Sequence, residues 1–251
     1  MNNVSLLRRF IQKMKGNITD NYIDSRFLQE KINMKIYLPE NYSPLYTYQL
    51  LIALDGDDYL QKGKLPSLAS ELIENKEIEQ TIIVMLPYQS VEDRYDKYHP
   101  NGKKNKHFIR FLAEELVPFI EESYKTYELP SARTLLGDSL AATVSLHSAF
   151  EYPYTFGQVI AQSPYINATT MERLQSIHHH EMLRLYHVIG DKETSVETSK
   201  GNTKDFLTPN RAFHKLCEQK GINGFYDEFN GEHTWFYWQQ DLKRALSRML
   251  S

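Results

Sequence analysis

The fold is decided by Leu135-Leu136-Gly137-Asp138-Ser139-Leu140-Ala141-Ala142. A short apolar run, Thr134–Leu136, follows a break at Pro130/Ser131. It passes into Ala141–Ala149, whose Ala, Val144 and Leu146 have helical composition and spacing. Strand, sharp turn, helix is the reading, with Ser139 at the turn. A serine held there points its hydroxyl away from the sheet, where a substrate can reach it. So tight a turn needs small residues two before and two after the serine, and Gly137 and Ala141 stand there. The helix start also sets backbone N–H groups, Leu140 first among them, beside the hydroxyl, where negative charge would develop. The same eight residues also fit an ordinary loop entering a helix, with Ser139 or Asp138 as its N-cap. The flanking sequence decides between the two.

Outward from the turn, apolar runs alternate with helical patterns. Gln49–Leu54 and Thr81–Leu86 are continuous apolar runs closed by Asp55-Gly56-Asp57-Asp58 and Pro87, as buried parallel strands are. Met34–Leu38 alternates and ends at Pro39. Phe156–Ser163, Leu183–Ile189 and Phe225–Phe229 are further strands. Helices are predicted over Leu65–Asn75, over Phe108–Tyr127 with a bend at Pro118, in the second half of 202–221 with Phe213, Leu216 and Cys217 inward, and over Trp238–Leu250. A short amphipathic helix is expected at Leu6–Met14, within an N-terminal extension of residues 1–30. Residues 88–106 read as a long polar, aromatic loop, suited to a lid or pocket wall, with Tyr88–Tyr98 lining an aromatic pocket. The alternation predicts an α/β protein with a mostly parallel central sheet and helices on both faces. No linker, repeat or low-complexity tract divides residues 1–251, so one domain is expected.

Composition narrows the function classes. A net charge of -3 gives no electrostatic footprint for nucleic acid. The one cysteine, Cys217, excludes an internal disulfide and a cysteine-rich metal site. His178-His179-His180 is a poor ligand set, because neighbours on a helix do not share a face, and it is read as exposed polar helix. No metal or cofactor is therefore expected. Val4–Leu7 is interrupted at once by Arg8-Arg9, and no stretch reaches the length of a membrane span. The expectation is a cytoplasmic protein without membrane or nucleic-acid partners, acting on a small molecule, with homo-oligomerisation left open.

In an open α/β sheet, ligands sit at the carboxyl ends of strands. Ser139, then Asp191 and Glu193, then His233 each follow a predicted strand, and the order serine, acid, histidine is that of a hydrolase triad. A serine hydroxyl needs an imidazole to take its proton, and the imidazole needs an anion on its far nitrogen. His233 is singled out among 9 histidines by its place after the last strand, between Gly231 and Trp235. Leu140, with Gly56 and Asp57 in the loop after Leu54, would supply oxyanion donors.

Four motifs together resemble the putative esterase family that includes esterase D, enterochelin esterases and mycolyltransferases. They are Leu54-Asp55-Gly56; Gly137–Ala142 with Phe156–Ser163; Gly190-Asp191-Lys192-Glu193 with Asn210 and Phe213; and Gly231-Glu232-His233-Thr234-Trp235 with Trp238. The likeness spans about residues 30–250. It implies an α/β-hydrolase fold and a serine carboxylesterase acting through an acyl-enzyme on a small ester, a thioester or a siderophore trilactone. By the family pattern Glu193 is the acid, with Asp191 second. The family usually has Met-Gly-Gly after the serine, where this chain has Leu140-Ala141-Ala142. That departure is the feature favouring the alternative, a non-catalytic binding or scaffold protein on a hydrolase fold.

Overall fold

The computed structural model describes residues 15–198 and 201–251. The helix expected at Leu6–Met14 lies outside them. The chain opens with β1 (Asn17–Ser25) and β2 (Glu30–Leu38), an antiparallel hairpin, and then enters β3 (Gln49–Leu54). α1 (Gly56–Gln61) and α2 (Leu65–Glu74) lead to β4 (Thr81–Leu86). α3 (Val91–Tyr98), α4 (Asn105–Phe111) and α5 (Val117–Ser123) precede β5 (Arg133–Asp138) and α6 (Ser139–Glu151). β6 (Gln158–Gln162), α7 (Ala168–Ser176) and β7 (Arg184–Gly190) follow. A two-stranded ribbon, β8 (Val196–Glu197) with β9 (Thr203–Lys204), comes before α8 (Leu207–Lys220), β10 (Asn223–Phe229) and α9 (Trp235–Met249).

Eight strands form one sheet in the order β1-β2-β4-β3-β5-β6-β7-β10. From β4 to β10 all neighbours are parallel, and β2 joins β4 antiparallel. Strict alternation of side chains sorts the apolar runs onto two faces. Leu50, Ile52 and Leu54 of β3 join the core that packs against α4, α6 and α8, while Leu51 and Ala53 join the core under α2 and α9. That is why the central strands read as continuous apolar runs: both faces are covered. The architecture is the α/β-hydrolase fold.

Four expectations are corrected. Residues 91–98, read as loop, are helix α3. Ser90 caps it by accepting from the Asp93 amide, Glu92 and Asp93 fill its first turn, and Lys97, nearly buried, pairs with Asp93 and Glu30 at 2.9 and 2.8 Å. The long helix around Pro118 begins at Asn105 and ends at Ser123, and it is interrupted over Leu112–Leu116 by a π-helical turn. A proline ring crowds the carbonyl four residues earlier and lacks an N–H, and the wider turn accommodates both. His178 and His179 lie in a turn after α7, and His180 opens a single 3₁₀ turn. Among the described residues no three His, Cys, Asp or Glu side chains are grouped to hold a metal, and no helix is long and apolar enough to cross a membrane. Finally, β1 forms within the stretch read as an extension.

Two histidines in the interior tie the fold to pH. His147 on α6 shares a hydrogen bond with Thr170 Oγ1 at 3.0 Å, and burial pushes its pKa down to about 3. His187 on β7 donates from Nε2 to Asn210 Oδ1 at 2.7 Å, and burial pushes it down to about 4. Below the ordinary histidine value the unfolded chain binds protons that the folded chain refuses, so each group's contribution falls as pH drops from 6.5 toward its folded value. His187→Gln removes one such group. The stability gap between wild type and this variant is expected to close by about 1.4 kcal/mol per pH unit between pH 6 and 4, read from urea unfolding. Parallel curves for the two proteins would refute the assignment.

Candidate active site

β5 runs directly into α6, and the join is Ser139, whose φ is +52°. This left-handed backbone costs a non-glycine residue about 1 kcal/mol. It turns the hydroxyl out of the sheet while the helix packs back on the strand. The packing is close: a Cβ on Gly137 would lie 2.4 Å from the Ala141 carbonyl carbon and 2.6 Å from the Ala142 nitrogen. The contacts are backbone and cannot swing aside, so Gly137→Ala should destabilise by about 3 kcal/mol or more, seen as a lowered melting point and soluble yield. Ala141 and Ala142 are themselves fully buried and belong to the main core. Hydroxyls inside α6 bond to its own carbonyls: Thr143 to Ser139, Ser145 to Ala141 and Ser148 to Val144.

His233 enters from the loop between β10 and α9. Its Nε2 stands 3.0 Å from Ser139 Oγ and its Nδ1 stands 2.6 Å from Glu193 Oε2. The ring is wedged between Phe206 (4.6 Å between centroids) and Trp238 (4.9 Å, edge-on). Glu193 is 1% exposed. Its other oxygen accepts from the Gly190 amide at 2.8 Å and from Ser163 Oγ at 2.6 Å, and Ser163 in turn accepts from Trp238 Nε1 at 3.0 Å. A Cβ on Gly190 would lie 2.4 Å from the Gly231 carbonyl oxygen and 2.8 Å from that carboxylate oxygen, so only glycine fits there. Every bond to the carboxylate comes from a donor, the pattern of an ionised acid. α9 is held in place from below: Gln162 donates to the Trp238 carbonyl and to Asp241, both at 3.0 Å.

The structure thus places Ser139 and Glu193 within hydrogen-bonding distance of opposite ring nitrogens of His233. Asp191 is elsewhere: exposed, it accepts from the Gly231 amide at 3.0 Å and braces the histidine loop. Leu140 and Ser139 both border a cavity of about 150 Å³. Gly56 and Asp57 open α1 at the end of β3, which neighbours β5 in the sheet, and neither borders the cavity. Asp55, just before them, has φ +56° and a fully buried side chain gripped by Arg94 through Nε (2.9 and 2.8 Å) and Nη2 (2.6 Å). Burial, and after it the charge of Asp55, holds the carboxyl of Asp138 well above the usual carboxylate range.

Helix α3 supplies Arg94 and Tyr95 to the cavity wall, so the aromatic stretch does border the site, though as a helix rather than a loop. The sequence did not point to Tyr165, Lys204 or Phe206, which complete that wall. Tyr165 follows the Gln162-Ser163 strand end, a position that could have flagged it. The ribbon carrying Lys204 has two residues per strand and leaves no periodic signal.

A family model described as "Putative esterase" matches residues 25–249. The chain is 43% identical over 235 residues to the uncharacterized protein YjcH of Bacillus subtilis, covering 94% of this chain and 98% of that one. Among solved structures it resembles a ferulic acid esterase with a TM-score of 0.77 at 16% identity, covering 94% of this chain and 98% of that one. It also resembles the enterobactin esterase FES of Shigella flexneri, seen in the presence of enterobactin, with a TM-score of 0.81 at 16% identity. There the match covers 95% of this chain and 60% of the larger protein. At such identity these structural likenesses speak to the fold.

Proposed function

The chain belongs to the putative esterase family, and from that premise we propose that it is a serine carboxylesterase working through an acyl-enzyme. The observation that carries the reading is the unbroken relay from Ser139 Oγ through His233 to the buried carboxylate of Glu193, at 3.0 and 2.6 Å. Ser139 attacks the ester carbonyl as His233 Nε2 takes its proton. Glu193 fixes the ring so that Nε2 faces the serine, and it balances the imidazolium that forms. First-turn amides of α6 lack intrahelical acceptors, and Leu140 N–H meets the developing oxyanion. The amides of Asp58 and Tyr59 are spent on the Asp55 carbonyl, so of the amides that open α1 only those of Gly56 and Asp57 are left as second donors; neither residue borders the cavity, and either would serve only if the start of α1 moved toward it. The alcohol leaves with the proton from His233, and water, activated by the same ring, releases the acid. The substrate is a small ester, a thioester or a siderophore trilactone. The chain's Leu140-Ala141-Ala142 keeps a non-catalytic binding or scaffold protein as the alternative reading, and the labelling experiment separates the two.

The test is a fluorophosphonate probe with intact-mass readout and p-nitrophenyl acetate as substrate. One probe per chain on Ser139, with matching loss of turnover, is expected. No adduct and no turnover would leave a binding protein as the better description.

A further inference from the structure

The cavity beside Ser139 has a chemically distinct wall. His99 lies between two tyrosines, stacked with Tyr95 at 4.4 Å and with Tyr165 at 5.4 Å. Tyr165 contacts Phe206 at 5.6 Å, and Phe206 contacts His233. The aromatic surface therefore runs unbroken from helix α3 to the proposed catalytic imidazole. The Tyr165 amide donates to the Ser139 carbonyl at 3.3 Å, so this wall is fixed to the nucleophile's own backbone.

Two cations border the cavity, Arg94 and Lys204, and they differ in what holds them. Arg94 is matched by the buried carboxylate of Asp55 through one edge of its guanidinium, Nε and Nη2. Lys204, half-buried on the ribbon, donates to the phenolic oxygen of Tyr165 at 2.6 Å and lies over that ring, 4.4 Å from its centroid. Among the described residues no carboxylate lies within 4.0 Å of its ammonium. Glu197, paired with Thr203 in the ribbon, also borders the cavity, but it is exposed and makes no ion pair with Lys204. A cation held by a phenol, against an aromatic surface and with no carboxylate in contact among the described residues, is poised for an anion delivered by the substrate.

We infer that Lys204 is a specificity residue and that the preferred substrate is an ester bearing a carboxylate on a planar, aromatic-sized group, lying along the Tyr165–Phe206 side of the aromatic wall with its charge at the Lys204 ammonium. The inference rests on the esterase reading for turnover, but not for binding.

The matched probes are 3-acetoxybenzoate and its methyl ester, which share the scissile acetyl ester and differ in the charge of the ring substituent; acetate release is the readout for both. Wild type should favour the carboxylate in kcat/KM by about tenfold at low salt, through KM rather than kcat, with the preference shrinking as salt rises. Lys204→Gln should bring the ratio to about one, and Lys204→Arg should restore most of it. A ratio near one in wild type, or a ratio that survives Lys204→Gln, overturns the proposal. Calorimetric titration of the Ser139→Ala protein with 3-hydroxybenzoate decides the same point without catalysis: affinity that falls about tenfold on adding Lys204→Gln supports it, and affinity blind to that change refutes it. Fluorophosphonate labelling of the wild-type protein reports separately on the esterase reading.

Discussion

Replacing Ser139 with alanine is expected to lower kcat/KM for a phenyl ester by about 10⁴- to 10⁶-fold, with the melting point held within a degree or two. The hydroxyl makes no packing contact that a methyl group would not, and its 3.0 Å bond to His233 is partly exposed, so stability should scarcely change. A companion variant sharpens the result. Ser139→Gly should be equally inactive yet more stable by about 1 kcal/mol, because glycine adopts φ +52° without the strain that serine bears. Strain retained at the one position where relief would remove the nucleophile marks a residue kept for chemistry. If Ser139→Ala retained more than a few per cent of the activity, the serine mechanism would be wrong. If Ser139→Gly were destabilised, the strain argument would fail while the mechanism stood.

Glu193→Gln should lower kcat by about 10³- to 10⁴-fold, whereas Asp191→Asn should change it no more than about threefold. Glutamine keeps the shape but presents an NH₂ to a site where three donors converge: the Gly190 amide, Ser163 Oγ and His233 Nδ1. One of them is left facing another donor, and the imidazole loses both its tautomer and its counter-charge. Stability should fall as well, by about 1–3 kcal/mol, since a buried bond network is broken. Asparagine at 191 still offers an oxygen to the Gly231 amide, so the histidine loop stays braced. Steady-state rates and melting points for the two variants check this directly. Comparable losses in both would return the choice of acid to the open.

What the sequence revealed followed burial. β3, β4 and β5 are covered on both faces, so their apolar runs are continuous and their ends sharp, and the groups at those ends could be named. The choice between Asp191 and Glu193 was harder, because both follow the same strand and only the fold of the loop aims one of them inward. β1, with the sequence NITDNYIDS, is an edge strand with mostly half-exposed residues, and so carries no apolar face to read. Helix α3 is polar nearly throughout, and it is held to the body by the Lys97–Glu30 and Arg94–Asp55 ion pairs and the single buried ring of Tyr98 rather than by a hydrophobic stripe. Its visible signal was local, Ser90 followed three residues later by Asp93. The π-turn before Pro118 leaves the same residues in helix with a shifted phase, which a 3.6-residue template cannot register.

The ribbon that carries Lys204 leaves the body just after Glu193 and rejoins it where the amides of Phe206 and Leu207 donate to the Glu193 carbonyl at 2.9 and 3.1 Å. Departure and return are pinned to a single residue, so the excursion between them, tied to the body by Val196 and Lys204, can change without moving the carboxylate at its root. Its length and composition can drift, or be exchanged wholesale, while the carboxylate at its root keeps its address. Diversification of a scaffold of this kind would then proceed by rewriting one appendage, with the chemistry inherited intact.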